Sequence, residues 1–251
     1  MKKLMFMTMA AMAANAFAIS GSVSTELETV SGDVKWQPRA KAYFIEKGKV
    51  VREIALADVT GLDIPKPANF DKAVQLVEGG QGASAIGILS KIVSDYRMLQ
   101  WDKPAGRYLA LAHLAAGNAQ KAYDVCRPII GEDKAAAYSG DLASAYWQAL
   151  MKLGKFDQLE GLLKKAASSG DRASAAAALV MRGDLILNSA SDDSAKVRQA
   201  LTDGYLRVWL MYQDAECRRE RAEAGLKAAA AFDRLGQNSR AERIRGQVKS
   251  I

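Results

Sequence analysis

Four glycines constrain this chain more than any other feature. Gly80 stands in LVEGGQGASAIGIL, Gly117 in LAAGNAQKAYDVC, Gly154 in LMKLGKFDQLEGLL and Gly236 in FDRLGQNSRAERI. The first three are evenly spaced, and the interval before the last is a little over twice as long. Apolar residues recur at steps of three and four on both sides of each glycine, which predicts helix, tight turn, helix. Glycine at the end of the first helix takes positive φ without a Cβ penalty. Five positions later comes a small residue, Ala85, Ala122 or Ala241, where two helices have to approach closely; Leu159 takes this place after Gly154. Ile86, Leu89 and Ile92 continue one stripe, and Tyr123, Cys126 and Ile129 another. One such hairpin cannot bury its stripe, but a stack can. The long interval before Gly236 leaves room for one more hairpin with a polar turn over residues 188–193, so about five hairpins are expected.

The turn glycine, the small residue five further on and the apolar positions beyond it resemble the tetratricopeptide repeat. The resemblance covers Phe70 to Ile251. It departs from the family pattern at Leu159, at Arg245 on an apolar position, and in a period longer than the family's. What it implies is an α-solenoid whose groove takes a protein or peptide partner, with the first helix of each hairpin facing that groove. Carried onto this chain, the groove positions are Arg107 and Leu111 in the second hairpin, and Asp141, Ser144, Gln148 and Lys152 in the third.

The residues before the repeats read differently. Lys2 and Lys3, the apolar run Leu4–Ala14 and the small-residue site Ala16-Phe17-Ala18 have the form of a secretory signal peptide over 1–18, cleaved before Ile19. No cysteine follows that point to carry a lipid anchor, so a soluble periplasmic or secreted protein is expected. From Thr29 the texture is β: an alternating run to Trp36, then Ala42–Ile45, a turn at Gly48, Val50–Ile54, and a further turn and strand to Ile64. Pro65 and Pro67 close it. Three or four short strands fit an SH3- or Sm-like barrel, or a bent sheet. The expected organisation is a signal peptide over 1–18, a small β domain over 19–67 and a mainly α, tetratricopeptide-like domain over 68–251.

The chemistry-bearing residues are few. There is one histidine, His113, and it falls at a packing position of the second hairpin. With two separated cysteines and one histidine, no soft-metal ligand set can be assembled, and no metal or cofactor is expected. Gly79-Gly80-Gln81-Gly82 lacks the Lys-Ser/Thr of a phosphate loop. Arg182-Gly183-Asp184 lies inside a helical stretch, where it reads as chance. Asp192-Asp193 has no calcium-loop grammar around it. The expectation is a protein without catalytic residues. Tyr205, Trp209 and Tyr212 share one helix face, and with Tyr146 and Trp147 they read as core between repeats.

The formal net charge is +7, with 35 Lys/Arg against 28 Asp/Glu, and much of the excess lies near the C-terminus. Those cations alternate with acids, as in Glu216, Arg218, Arg219, Glu220, Arg221, Glu223, the pattern of a solvated face with local ion pairs. That pattern and the export signal argue against nucleic acid and leave room for association with an envelope surface. Cys126 and Cys217 are expected as free thiols, because hairpins of a solenoid touch only their neighbours, with Cys217 the more reactive. The function expected is a protein-interaction scaffold of a bacterial cell envelope. The alternative is a carbohydrate or cell-wall binding module in the β domain, with Trp36 and Tyr43 as stacking rings.

Overall fold

A computed structural model describes residues 19–188 and 193–251. The expected signal peptide and most of the polar turn at 188–193 lie outside the described residues. The described chain divides into two compact units, one holding the residues up to Pro67 together with Ser94–Trp101, the other holding Ala68–Val93 and Asp102–Ile251.

The first unit is a five-stranded antiparallel sheet of β1 (Ile19–Thr25), β2 (Thr29–Gln37), β3 (Ala42–Lys47), β4 (Val50–Ala55) and β5 (Val59–Asp63), in the order β4-β3-β2-β1-β5. A single 3-10 turn, Leu56–Asp58, joins the two edge strands β4 and β5. This is the strand order of an SH3-type barrel. β1 extends the expected strand set. Its sequence, ISGSVST, interrupts the β-formers Ile19, Val23 and Thr25 with serines and a glycine, yet it sits inside the sheet and pairs with β2 from Ile19↔Val34 to Ser24↔Thr29 and with β5 on its other edge. Ladder pairing on both sides supplies what propensity does not. Val23, Val34, Trp36, Tyr43, Ile45, Ile54, Ile64 and Leu99 form the core.

Leu99 comes from the segment 94–101, which lies inside the helical domain expected from the sequence. It completes the β unit instead. The Tyr43 hydroxyl donates to the Met98 carbonyl at 2.8 Å, the Trp101 indole to the Ile64 carbonyl at 2.8 Å, and the Ile64 amide to Gln100 Oε1 at 3.4 Å. Trp36 is 7% and Tyr43 1% exposed, and their rings lie 4.9 Å apart. This corrects the carbohydrate reading: both rings are core, and neither offers a face to a sugar.

The second unit is five hairpins among the described residues: α1 (Phe70–Glu78) with α2 (Gly82–Asp95), α3 (Asp102–Ala115) with α4 (Ala119–Glu132), α5 (Asp141–Lys152) with α6 (Phe156–Ala167), α7 (Arg172–Asn188) with α8 (Ser194–Ala200) and α9 (Leu206–Met211), and α10 (Arg218–Arg234) with α11 (Asn238–Val248). The first helices α1, α3, α5, α7 and α10 pack side by side in that order. It is a tetratricopeptide-like α-solenoid preceded by a small β sheet.

All four turn glycines have positive φ, between 68° and 77°. Each closes its helix with the same pair of bonds. Gly80, Gly117, Gly154 and Gly236 donate to the carbonyl three residues back, and Gln81, Asn118, Lys155 and Gln237 to the carbonyl five residues back, at 2.7–3.1 Å. That is the Schellman cap, in which two otherwise orphaned carbonyls are satisfied. The residues five after each glycine, Ala85, Ala122, Leu159 and Ala241, have no exposed area. Leu159 therefore serves the same packing position as the alanines.

In the fourth hairpin a π-helical turn, Leu201–Tyr205, joins α8 to α9. There Gly204 meets Gly183 of α7, and a Cβ on Gly204 would fall 2.9 Å from Gly183 Cα and 2.9 Å from the Leu179 carbonyl oxygen. The Tyr205 hydroxyl donates to Asp184 Oδ1 at 2.8 Å, and Lys227 of α10 pairs with the same carboxylate. Gly183 and Asp184 of the Arg-Gly-Asp triplet are thus packing residues. Tyr146, Trp147, Tyr205 and Trp209 are buried, and Tyr212 is half-buried.

Both cysteines are free and fully buried. Burial pushes the Cys126 thiol up to about 12 and also raises Cys217, which Glu216 and Glu220 raise further. Cys217, expected as the more reactive of the two, is buried as well: it closes a 3-10 turn ahead of α10 with its side chain inward.

Candidate functional site

The candidate site is the row of first helices, and it is built from their N-terminal ends. The chain reads Ser139-Gly140-Asp141-Leu142-Ala143-Ser144-Ala145 before α5 and Ser169-Gly170-Asp171-Arg172-Ala173-Ser174-Ala175 before α7. Both glycines have positive φ, near 80°. The two copies then do different work.

In the second copy, Asp171 caps α7. It accepts from the Ser174 amide at 3.2 Å and from the Ser174 hydroxyl at 2.5 Å. It also accepts from the Ser139 hydroxyl at 2.8 Å, while the Gly140 amide donates to Ser174 Oγ at 3.0 Å. One cap therefore holds its own helix and clasps the turn of the preceding hairpin. The hydrogen bond from Ser174, helped by that from Ser139 and two backbone amides, holds the Asp171 carboxyl below its ordinary value against the opposing effect of burial.

In the first copy, Asp141 is exposed at the first position of α5 and has no hydrogen-bond partner among the described residues. Asp141, Ser144, Asp171 and Ser174 line a notch of about 170 Å³ with Arg219 and Glu220 of α10. Glu220 is 4% exposed, and its carboxylate receives the Arg219 guanidinium at 2.6 Å. Three carboxylates against one guanidinium make the notch acidic.

Of the expected groove residues, the structure brings Asp141 and Ser144 together in this notch. Gln148, half-buried, and Lys152, exposed, continue the same face of α5 toward its C-terminal end. Arg107 and Leu111 stand one turn apart on α3, both half-buried. The Arg107 guanidinium lies 5.0 Å over the Tyr108 ring, its Nε is buried with no partner, and Leu111 packs against the central core. Asp171, Ser174, Arg219 and Glu220 are the notch residues that sequence reasoning missed. The duplicated Ser-Gly-Asp-x-Ala-Ser-Ala heptad is the signal that points to the first two; nothing local marks the other pair.

Several remaining features resolve as structure. His113 is 9% exposed, its Nδ1 has no partner, and desolvation, with a smaller contribution from Lys121, lowers its pKa. Asp214, Glu216 and Cys217 bring their ligand atoms together, but Arg172 reaches both carboxylates, at 2.6 and 3.9 Å, so the cluster is already compensated. Of the C-terminal cations, Lys227 pairs with Glu223 four residues before it, as the spacing suggests, and Arg245 of α11 with Asp233 of α10. No helix among the described residues is long and apolar enough to cross a membrane.

The fold is that of a tetratricopeptide-like helical-repeat protein. Two solved structures are similar to it, both of the nearly identical TPR-like repeats assigned to a kinesin light chain of Podosopora anserina, one of them a single-substitution variant. Each is 16% identical and covers 73% of this chain and 92% of its own, with TM-scores of 0.45 for the variant and 0.44 for its parent. No protein family and no curated protein matches the chain.

Proposed function

We propose that the protein is an exported, non-catalytic scaffold of a bacterial cell envelope that holds a protein or peptide partner along its first-helix face, with no nucleic acid involved. The observation that carries this reading is the notch between α5, α7 and α10. Asp141 is exposed and unpaired there, beside Ser144 and above a buried Glu220. An acidic notch at the head of a helix row suits a lysine or arginine side chain of the partner, which would supply the missing counter-charge. Arg107, Leu111, Gln148 and Lys152 extend the contact along α3 and α5.

Asp141→Lys and the pair Arg107→Ala with Lys152→Glu test the reading in capture from envelope extract, with wild type as reference. The expected result is loss of the same captured protein in Asp141→Lys and weaker capture in the pair, with helical circular dichroism unchanged. Equal recovery by all three proteins would remove the first-helix face as the contact. Export rests on the N-terminal sequence, and mass analysis of the native protein should find Ile19 first. A native chain that keeps Met1 would sink the envelope assignment.

A further inference from the structure

The third and fourth hairpins enclose a second concavity. It measures about 640 Å³ and is walled by α6, α7 and α8, so by the second helices of the third and fourth hairpins with α7 between them. Its lining follows helical spacing. From α6 come Phe156, Leu163 and Lys164, and from α7 come Leu179, Arg182 and Leu185. The hydrocarbon is continuous, and Phe156 is 40% exposed, an unusual placement for a phenyl ring. The volume is that of a small-molecule site and not of an extended peptide groove.

The charge around it is one-sided. Lys164, Arg182 and Lys196 line the cavity against a single acid, Glu160. None of the three cations has an ion-pair partner among the described residues, whereas Arg219, Lys227 and Arg245 on α10 and α11 each meet a carboxylate. An apolar cavity whose mouth holds uncompensated cations matches a molecule with a long aliphatic body and one anionic head.

We propose that this cavity is a binding site for an anionic amphiphile of the fatty-carboxylate class. The aliphatic chain lies along Leu163, Leu179 and Leu185. The carboxylate sits at the mouth among Lys164, Arg182 and Lys196. The site is separate from the first-helix face and shares no residue with the notch.

The probe is laurate, kept below its micelle concentration and titrated calorimetrically into the whole protein. Saturable binding at one site is expected. Dodecyltrimethylammonium, with the same chain and the opposite charge, should bind at least tenfold more weakly. The triple variant Lys164→Gln, Arg182→Gln, Lys196→Gln should lose at least tenfold for laurate. Ala167→Trp, which fills the cavity from an exposed position on α6, should abolish binding. The headgroup comparison uses the unmodified protein, so it stands even where a variant folds poorly. Absence of saturable laurate binding overturns the proposal, as does equal affinity for the two headgroups. Binding of an acidic amphipathic helical peptide in place of laurate would give the cavity to a protein partner. Self-association that vanishes in Ala167→Trp would give it to a second copy of the chain.

Discussion

Replacing Gly204 by alanine is the sharpest test of how the fourth hairpin is packed. In an ordinary helix the change is favourable by up to about 1 kcal/mol, because alanine loses less backbone entropy. At Gly204 the new methyl would meet Gly183 Cα and the Leu179 carbonyl oxygen at 2.9 Å and the Gly183 amide nitrogen at 3.0 Å. All three are backbone atoms, so no side chain can swing aside; α7 and the π turn must separate. Such overpacking typically costs about 1–3 kcal/mol. Set against a propensity gain of at most about 1 kcal/mol, the net expectation is a loss of about 1–2 kcal/mol. At about 2–4 °C per kcal/mol for a chain of this size, the melting point should fall by about 2–8 °C. Gly161→Ala in α6 is the control. No atom lies within 4 Å of its Cβ position, so only the propensity gain remains, and the melting point should rise by about 1–4 °C. Thermal unfolding followed by far-ultraviolet circular dichroism reads the helical unit. If Gly204→Ala melts at or above the wild type, the close crossing of α7 is wrong.

Four further outcomes follow from groups described above. Asp171→Ala should lower stability by about 1–3 kcal/mol, the worth of a cap plus hydrogen bonds to a charged group; urea titration measures it, and a change within experimental error would dissolve the clasp. Because the folded Asp171 pKa is depressed, its contribution is present above the unfolded value near 3.9 and fades as pH falls through the folded value; the wild-type advantage over Asp171→Ala should therefore shrink as pH falls below about 4, and a constant difference would contradict the cause assigned. His113 is held neutral by burial, so unfolding takes up a proton below about pH 6.5; wild type should lose more stability than His113→Gln between about pH 7 and about pH 5, which paired urea titrations at the two pH values decide. Cys126 and Cys217 should both resist alkylation until urea unfolds the chain, and a linked Cys126–Cys217 peptide in non-reducing mass mapping would undo the hairpin stack.

The helical repeat was legible because its signal is backbone chemistry. Only glycine takes the positive φ of a Schellman turn cheaply, so Gly80, Gly117, Gly154 and Gly236 announce themselves without a tertiary context. The Ala85 and Ala122 positions followed from the same register, and even Leu159 could be read through it. The β unit was legible only in part. β1 is ISGSVST, in which serines and a glycine separate Ile19 and Val23, and its strand character comes largely from the two neighbours that pair with it. The π turn at Leu201–Tyr205 has no local sequence mark, and neither does the placing of Arg219 and Glu220 beside residues of the two preceding hairpins. In the candidate site, Asp141 and Ser144 came from repeat register alone. Asp171 and Ser174 were visible in a duplicated heptad, but their opposite roles were not, because which copy clasps which is decided by the stacking.

The short stretch 94–101 has a consequence for the order of events as the chain emerges, N-terminus first, into the compartment where it folds. In such vectorial emergence an N-terminal unit ordinarily folds first. Here the five strands are complete once Asp63 has emerged, but Leu99, the Met98 carbonyl that receives Tyr43, and the Trp101 indole that caps Ile64 come more than thirty residues later, after α1 and α2. Until then the apolar face of the sheet lacks Leu99, and the Met98 carbonyl that receives the Tyr43 hydroxyl is not yet in place. The nascent sheet must wait for a helical hairpin that belongs to the other unit, and closing that interval is an entropic step of the (3/2)RT ln n kind. A fragment cut at Pro67 would carry every strand and still be an unfinished domain.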